Sequence, residues 1–193
     1  MYLEDISDMG MRSSSTDYAI LGMLSISPMS GYFIRKSIRE SVAHFWSESY
    51  GQLYPALKRL STQGLVRART AKTGHKERHV YSLTAQGRSR LKDWLVAPPE
   101  ARPPRIELLL KIFFGRLAAE ACASHVRDFR DQQARVLKAC AAMEGPFAAA
   151  LKNPSDPGLA FRFTTLRYGI LHLHADLAWA DETLAFLAKR QRR

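Results

Sequence analysis

Apolar residues in the first half of the chain recur at helical spacing three times, then alternate, then return to helical spacing. In TDYAILGMLSI, Ile20, Leu21 and Leu24 share a face, and Ser15 or Thr16 is placed to cap the first turn. SPMSG interrupts with turn residues. Ser30 then opens a second predicted helix, GYFIRKSIRE, with Phe33 or Ile34 and Ile38 pointing inward. A third run, SESYGQLYPALKRL at residues 47–60, also has helical spacing. After Gly64, LVRART and RHVYSL read as strands joined by the polar AKTGHKE. Thr84 caps a fourth helix, TAQGRSRLKDWL, with Leu91, Trp94 and Leu95 as its apolar edge. Three helices followed by a hairpin is the order of a winged helix-turn-helix.

The third run holds Gly51 and Pro55, which a helix made only for packing would avoid. On a helical wheel, Trp46, Leu57, Leu60 and Gly64 cluster around Leu53. The opposite face carries Gly51, Pro55, Lys58, Arg59 and Thr62, with Ser47 and Gln52 at its margins. One side is core. The other is small and polar first and cationic later, as a groove-reading helix requires. Pro55 has no N–H for the Gly51 carbonyl, so a bend or a late helix start is expected near Tyr54. The alternative is a surface helix that is merely basic.

The segment APPEARPP, residues 97–104, has four prolines in eight residues and marks a boundary. The chain is thereby read as an N-terminal extension (1–14), a winged helix-turn-helix domain (15–97) and a helical dimerisation domain (105–193). The fold class is mainly α. In the last part, a helix over roughly Ala119–Met143 carries Cys122, Val126, Phe129, Val136, Leu137 and Cys140 on its apolar positions. From residue 163 to 187 a heptad runs through Phe163, Leu166, Ile170, Leu173, Leu177, Ala180, Leu184 and Leu187. Tyr168, Leu171, Ala175, Trp179 and Phe186 form a second stripe. A helix with two apolar faces needs two covers, one from its own chain and one from a second copy. The heptad residues Phe163, Leu166, Ile170, Leu173, Leu177, Leu184 and Leu187 are expected at that dimer interface. The alternative is a closed monomeric bundle.

Charge sharpens the reading of the first domain. The formal net charge is +11, which suits a polyanionic partner. The excess concentrates between Arg35 and Lys92, with 13 basic and 3 acidic residues. Arg67 and Arg69 alternate along one strand and so share a face. Lys72, Lys76 and Arg78 sit at the hairpin tip around Thr73, Gly74 and His75. Basic helix, basic hairpin and helix-turn-helix order together are far more specific than any one of them.

Other chemistry finds little support. There is no phosphate loop, nucleophile elbow or catalytic carboxylate pair, so no enzyme activity and no cofactor are expected. His172, His174 and Asp176 suggest a metal site, but on a helix residue 174 points away from the other two, and none is expected. Cys122 and Cys140 are five helical turns apart and read as small buried residues. The N-terminus has no secretory pattern and no apolar run approaches a membrane span, which points to a cytoplasmic protein.

The motif WSESYGQLYPALKRLSTQGLV followed by RHVYSLTAQGRSRLKDWL resembles the PadR-like family of transcriptional regulators. Its pattern Y-G-x-L-Y-x-A-L-x-x-L-x-x-x-G-L, a basic wing and Y-x-L-T-x-x-G is matched from Tyr50 to Gly87. ELLLKIFFG (107–115) and RYGILHLHADLAWADETLAFL (167–187) resemble the helical dimerisation region of longer members. The resemblance implies a homodimeric repressor on a palindromic operator in double-stranded DNA, released by a small aromatic or amphiphilic ligand. Ser47, Ser49, Tyr50, Gln52, Tyr54, Lys58 and Arg59 are expected at the groove, and Lys72, Thr73, Lys76 and Arg78 at phosphates. Tyr18, Trp94, Phe113, Phe114, His172 and Trp179 are candidates to line an effector cavity. The rival reading is a protein–protein interaction module that uses a winged helix without specific DNA binding.

Overall fold

The structure, a computed structural model, describes residues 14–42, 45–46, 50–73, 76–99, 105–152 and 155–191. The chain divides into two compact units, Met1–Glu100 and Ala101–Arg193.

In the first unit the elements run α1 (Ser15–Ile26), β1 (Met29–Ser30), α2 (Gly31–Ser41), a 3-10 turn (Tyr50–Gln52), α3 (Leu53–Thr62), β2 (Val66–Thr73), β3 (Lys76–Leu83) and α4 (Ala85–Val96). The strands form an antiparallel sheet in the order β1-β3-β2. This is the winged helix-turn-helix expected from the pattern. Strand β1 went unpredicted because two residues are too few to show an alternation.

One core joins the helices to the base of the sheet. Ile20, Leu21 and Leu24 of α1 meet Ile34 and Ile38 of α2, Leu53, Leu57 and Leu60 of α3, Val66 of β2 and Leu91 of α4. Each fully buried Leu or Ile contributes about 1.5–3 kcal/mol relative to exposure. Of the inward candidates on α2, Ile34 is the buried one and Phe33 is exposed. Of those on α4, only Leu91 is buried, while Trp94 and Leu95 reach solvent.

Local chemistry sets the element ends. Helix α1 starts one residue earlier than expected, with Ser14 at its N-cap. The Asp17 carboxylate turns back to accept the Ser14 N–H at 3.1 Å. Ser30 caps α2 by accepting the Phe33 N–H at 3.4 Å. Just past the end of α3 stands Gly64, whose φ of +71° is left-handed, and the Leu65 N–H reaches back to the Leu60 carbonyl at 2.9 Å. Thr84 then joins three segments. Its Oγ1 accepts the Gly87 N–H at 3.0 Å and lies 2.8 Å and 3.0 Å from the Gly64 and Leu65 carbonyls.

The second unit contains α5 (Glu107–Phe113), a 3-10 turn (Gly115–Leu117), α6 (Ala119–Ala150) and α7 (Leu159–Gln191). Helices α6 and α7 pack antiparallel, clipped by ion pairs from Arg130 to Asp181 and from Arg167 to Glu144. Helix α6 continues past Met143 and through Pro146. Phe147, just beyond the proline, stacks on Phe163 of α7 with ring centroids 6.4 Å apart, a contact that offsets the lost hydrogen bond. Cys122 and Cys140 are buried free thiols on α6. Burial pushes the Cys140 thiol above its usual range.

The heptad stripe of α7 needs a correction. Leu166, Ile170 and Leu173 are buried against Cys140 of α6, with Val136, Leu137, Met143 and Phe147 packed around them. They belong to the core of their own chain and are closed to a second copy. Phe163, Leu177, Leu184 and Leu187 are half-buried. The outward-facing stripe is the second one, where Tyr168 and Leu171 are exposed together with Phe161.

Candidate nucleic-acid interface

Helix α3 enters through a 3-10 turn, and Pro55 lands in its first turn. There its missing N–H removes no intrahelical bond, so the proline sets the start of the helix without breaking it. The late start expected near Tyr54 is thus found at Leu53. Leu53, Ala56, Leu57 and Leu60 are buried, whereas Gly51, Gln52, Tyr54, Pro55, Lys58 and Thr62 are exposed. The Tyr54 ring leans on the start of α2: a Cβ placed on Gly31 would come within 2.9 Å of it. It is nevertheless 58% exposed, so its outer edge remains open. Ser47 and Ser49 lie outside the described residues.

Arg59 differs from the other cations of α3. Its Nη2 donates to Asp17 Oδ1 at 2.5 Å and its Nε to Oδ2 at 3.4 Å. Asp17 is 1% exposed and the Arg59 side chain 38%, so this carboxylate is buried and its partner half open. A buried carboxylate is tolerated when paired and hydrogen-bonded. Helical periodicity placed Arg59 on the outer face, but its long side chain reaches the end of α1.

The hairpin register builds a cationic surface. Arg67 pairs with Ser82, Arg69 with Val80 and Ala71 with Arg78. Directly opposed residues share a face, so Arg67, Arg69 and Arg78 lie on one side of the ribbon. All three are exposed. Val66 is buried on the other side, and Tyr81 and Leu83 pack against the core there. A groove of about 430 Å³ opens beside Arg78, lined also by Ser27, Met29, Ser30, Phe33 and Ser37. Neither the groove nor the alignment of Arg78 with the β2 arginines was legible without the register. Lys72, Thr73 and Lys76 occupy the distal end of the same two strands.

The six aromatic candidates divide between the units. Tyr18 and Trp94 stack on each other in the first. In the second, Phe113 meets Phe114 edge-on, Trp179 packs on Phe129, and His172 packs on Tyr168. Phe113 is 80% exposed. Among the described residues no three His, Cys, Asp or Glu side chains group as metal ligands, and no helix is long and apolar enough to cross a membrane.

A helix-turn-helix with a polar outer helix face and an arginine-bearing wing defines a winged-helix regulator. Residues 20–93 match the transcriptional regulator PadR-like family, and residues 104–188 match the virulence activator alpha C-terminal family. The winged-helix unit, over residues 20–93, is thus a PadR-like domain of the kind found in transcriptional regulators. It is 38% identical to the negative transcriptional regulator PadR of Bacillus subtilis over 117 residues, covering 60% of this chain and 63% of that relative. The same relative solved with operator DNA superposes with a TM-score of 0.77 at 28% identity, covering 91% of this chain and 99% of the other. Its complex with p-coumaric acid gives 0.66 at 26% identity, covering 89% and 98%. The virulence activator AphA of Vibrio cholerae gives 0.68 at 29% identity, covering 91% and 99%.

Proposed function

We propose that this protein is a homodimeric repressor that binds a palindromic operator in double-stranded DNA and is released by a small aromatic or amphiphilic ligand. The observation that carries the DNA reading is the alignment of Arg67, Arg69 and Arg78 on one face of the wing. They sit in the same compact unit as a recognition helix that exposes Gln52 and Lys58. Arginines at phosphates position the protein, and polar side chains at base edges read sequence. Gln52, Tyr54, Lys58 and the 3-10 turn at Tyr50 serve the groove, as do Ser47 and Ser49. Lys72, Thr73, Lys76 and Arg78 serve the backbone. The complex of the Bacillus relative with operator DNA supports this reading.

The dimer surface is drawn from the exposed stripe of α7, Phe161, Tyr168 and Leu171, rather than from the buried Leu166, Ile170 and Leu173. A second copy packed there would relate two recognition helices by a twofold axis and space half-sites about 34 Å apart. The effector reading rests on the open rings of Phe113 and Phe114 and on the relative's complex with p-coumaric acid. Repression follows the Bacillus relative, described as a negative regulator.

The test is selection of duplexes from a random library by the purified protein. A palindromic consensus is expected, with release on adding hydroxylated cinnamic or benzoic acids. Lys76→Ala should weaken all duplexes alike and flatten the salt dependence by about one counterion. Gln52→Ala should change the preferred sequence. Absence of any enriched sequence, or binding independent of salt, favours the interaction-module alternative.

A further inference from the structure

We propose that Asp17 and Arg59 together set the rotation of the recognition helix about its own axis, and that Arg59 is a positioning residue rather than a phosphate contact. The inference rests on the DNA-binding reading above. It starts from an oddity: a domain rich in cations keeps a carboxylate buried beneath the helix that would meet a polyanion. A negative charge there opposes DNA binding by simple electrostatics, so its use is geometric.

The geometry is specific. Asp17 accepts three donors, from Arg59 Nη2 at 2.5 Å, Arg59 Nε at 3.4 Å and the Ser14 N–H at 3.1 Å. Both carboxylate oxygens are used, and the guanidinium engages them through two of its nitrogens. The Ser14 N–H anchors the carboxylate to the first turn of α1, so the acceptor cannot swing. The pair joins residues 42 positions apart in sequence.

The other attachments of α3 are of a different kind. Leu53, Ala56, Leu57 and Leu60 hold it by apolar burial, which is non-directional and resists withdrawal more than rotation. A charge-assisted fork is directional. Arg59 neighbours Lys58 and lies two helical turns from Gln52, so any roll of the helix at Arg59 moves both outward-facing side chains. The pair therefore governs which side chains meet the base edges. It adds no net charge to the interface, because each partner neutralises the other.

The experiment compares the full-length protein and its variants on two duplexes of equal length, the selected consensus and an unrelated sequence, over a range of salt. Asp17→Asn removes a negative charge yet is expected to weaken the consensus by about tenfold, the scale of one lost base contact. The unrelated duplex should be bound as before or slightly more tightly, which also shows that the variant is folded. Arg59→Gln should lower consensus affinity with its salt slope unchanged. Arg59→Lys, which keeps the charge but loses the fork, should fail to restore it. The double variant should be no worse than the worse single one.

Consensus binding by Asp17→Asn equal to or tighter than wild type overturns the proposal. So does a salt slope reduced by about one counterion in Arg59→Gln and restored in Arg59→Lys, which can be measured even if Asp17→Asn does not fold. Wild-type protein that fails to distinguish the two duplexes overturns the DNA-binding reading itself.

Discussion

The indole of Trp94 lies flat against the ring of Tyr18, with centroids 4.6 Å apart and planes inclined by 8°. The stack ties α4 to α1 within the winged-helix unit and gives both rings a partner without any ligand. Trp94→Ala should lower the unfolding free energy by about 1–2 kcal/mol, because an aromatic pair contributes about 0.5–1.5 kcal/mol beyond the area it buries. Trp94→Phe should retain most of that. Denaturant unfolding followed by circular dichroism measures both, and equal losses for the two variants would count against the stack.

Gly87 admits no side chain. A Cβ there would stand 2.0 Å from the Leu65 carbonyl oxygen, which is already held by the Thr84 N–H at 3.2 Å and faces the Thr84 hydroxyl. Backbone cannot yield as a side-chain tip can. Gly87→Ala should destabilise the unit by about 3 kcal/mol or more, seen as a large fall in its melting temperature. A melting temperature within a degree or two of wild type would refute the close approach.

The two faces of α7 should respond differently to the same change. Leu173 is buried against α6, so Leu173→Ala should cost about 2–5 kcal/mol of stability. Leu171 is 60% exposed, and Leu171→Ala should leave single-chain stability within about 0.5 kcal/mol. It should instead weaken self-association, shifting the mass in sedimentation toward the 21.8 kDa of one chain at higher concentration than wild type requires. Unchanged association would remove this stripe from the dimer surface.

Asp176 gives a pH signature. Burial raises its pKa above the usual carboxylate range, against a smaller opposing effect of His172. The fold therefore favours the protonated carboxyl. That contribution is complete in acid below the unfolded value and is lost as pH rises through the folded value. Asp176→Asn should accordingly melt higher than wild type near pH 7, with the difference fading toward about pH 3. A gain in stability that is constant across pH would show that ionisation of Asp176 plays no part.

Several of these features could be read from residues alone and others could not. Pro55 announced the late start of α3, since a proline nitrogen costs a helix no hydrogen bond in its first turn. The Gly64 stop and the Thr84 cap were visible because their chemistry is local. Asp17, by contrast, carries no local signal of its role. Its partner lies far along the chain, and no periodic signal links the two. The heptad of α7 was real, but its members Leu166, Ile170 and Leu173 are covered by α6: spacing shows that a face is apolar and says nothing of which surface covers it.

By itself the sequence determined the order of the helices and the hairpin, the position of α3, the basic wing and the family pattern. These follow from rules acting over a few residues: periodicity, capping, turn chemistry and charge count. Only the tertiary structure decided that Arg59 is bound to Asp17, that three wing arginines align, and that α6 covers Leu166, Ile170 and Leu173 of the α7 heptad. Those outcomes depend on which distant surfaces meet, and that is set by packing the whole chain at once.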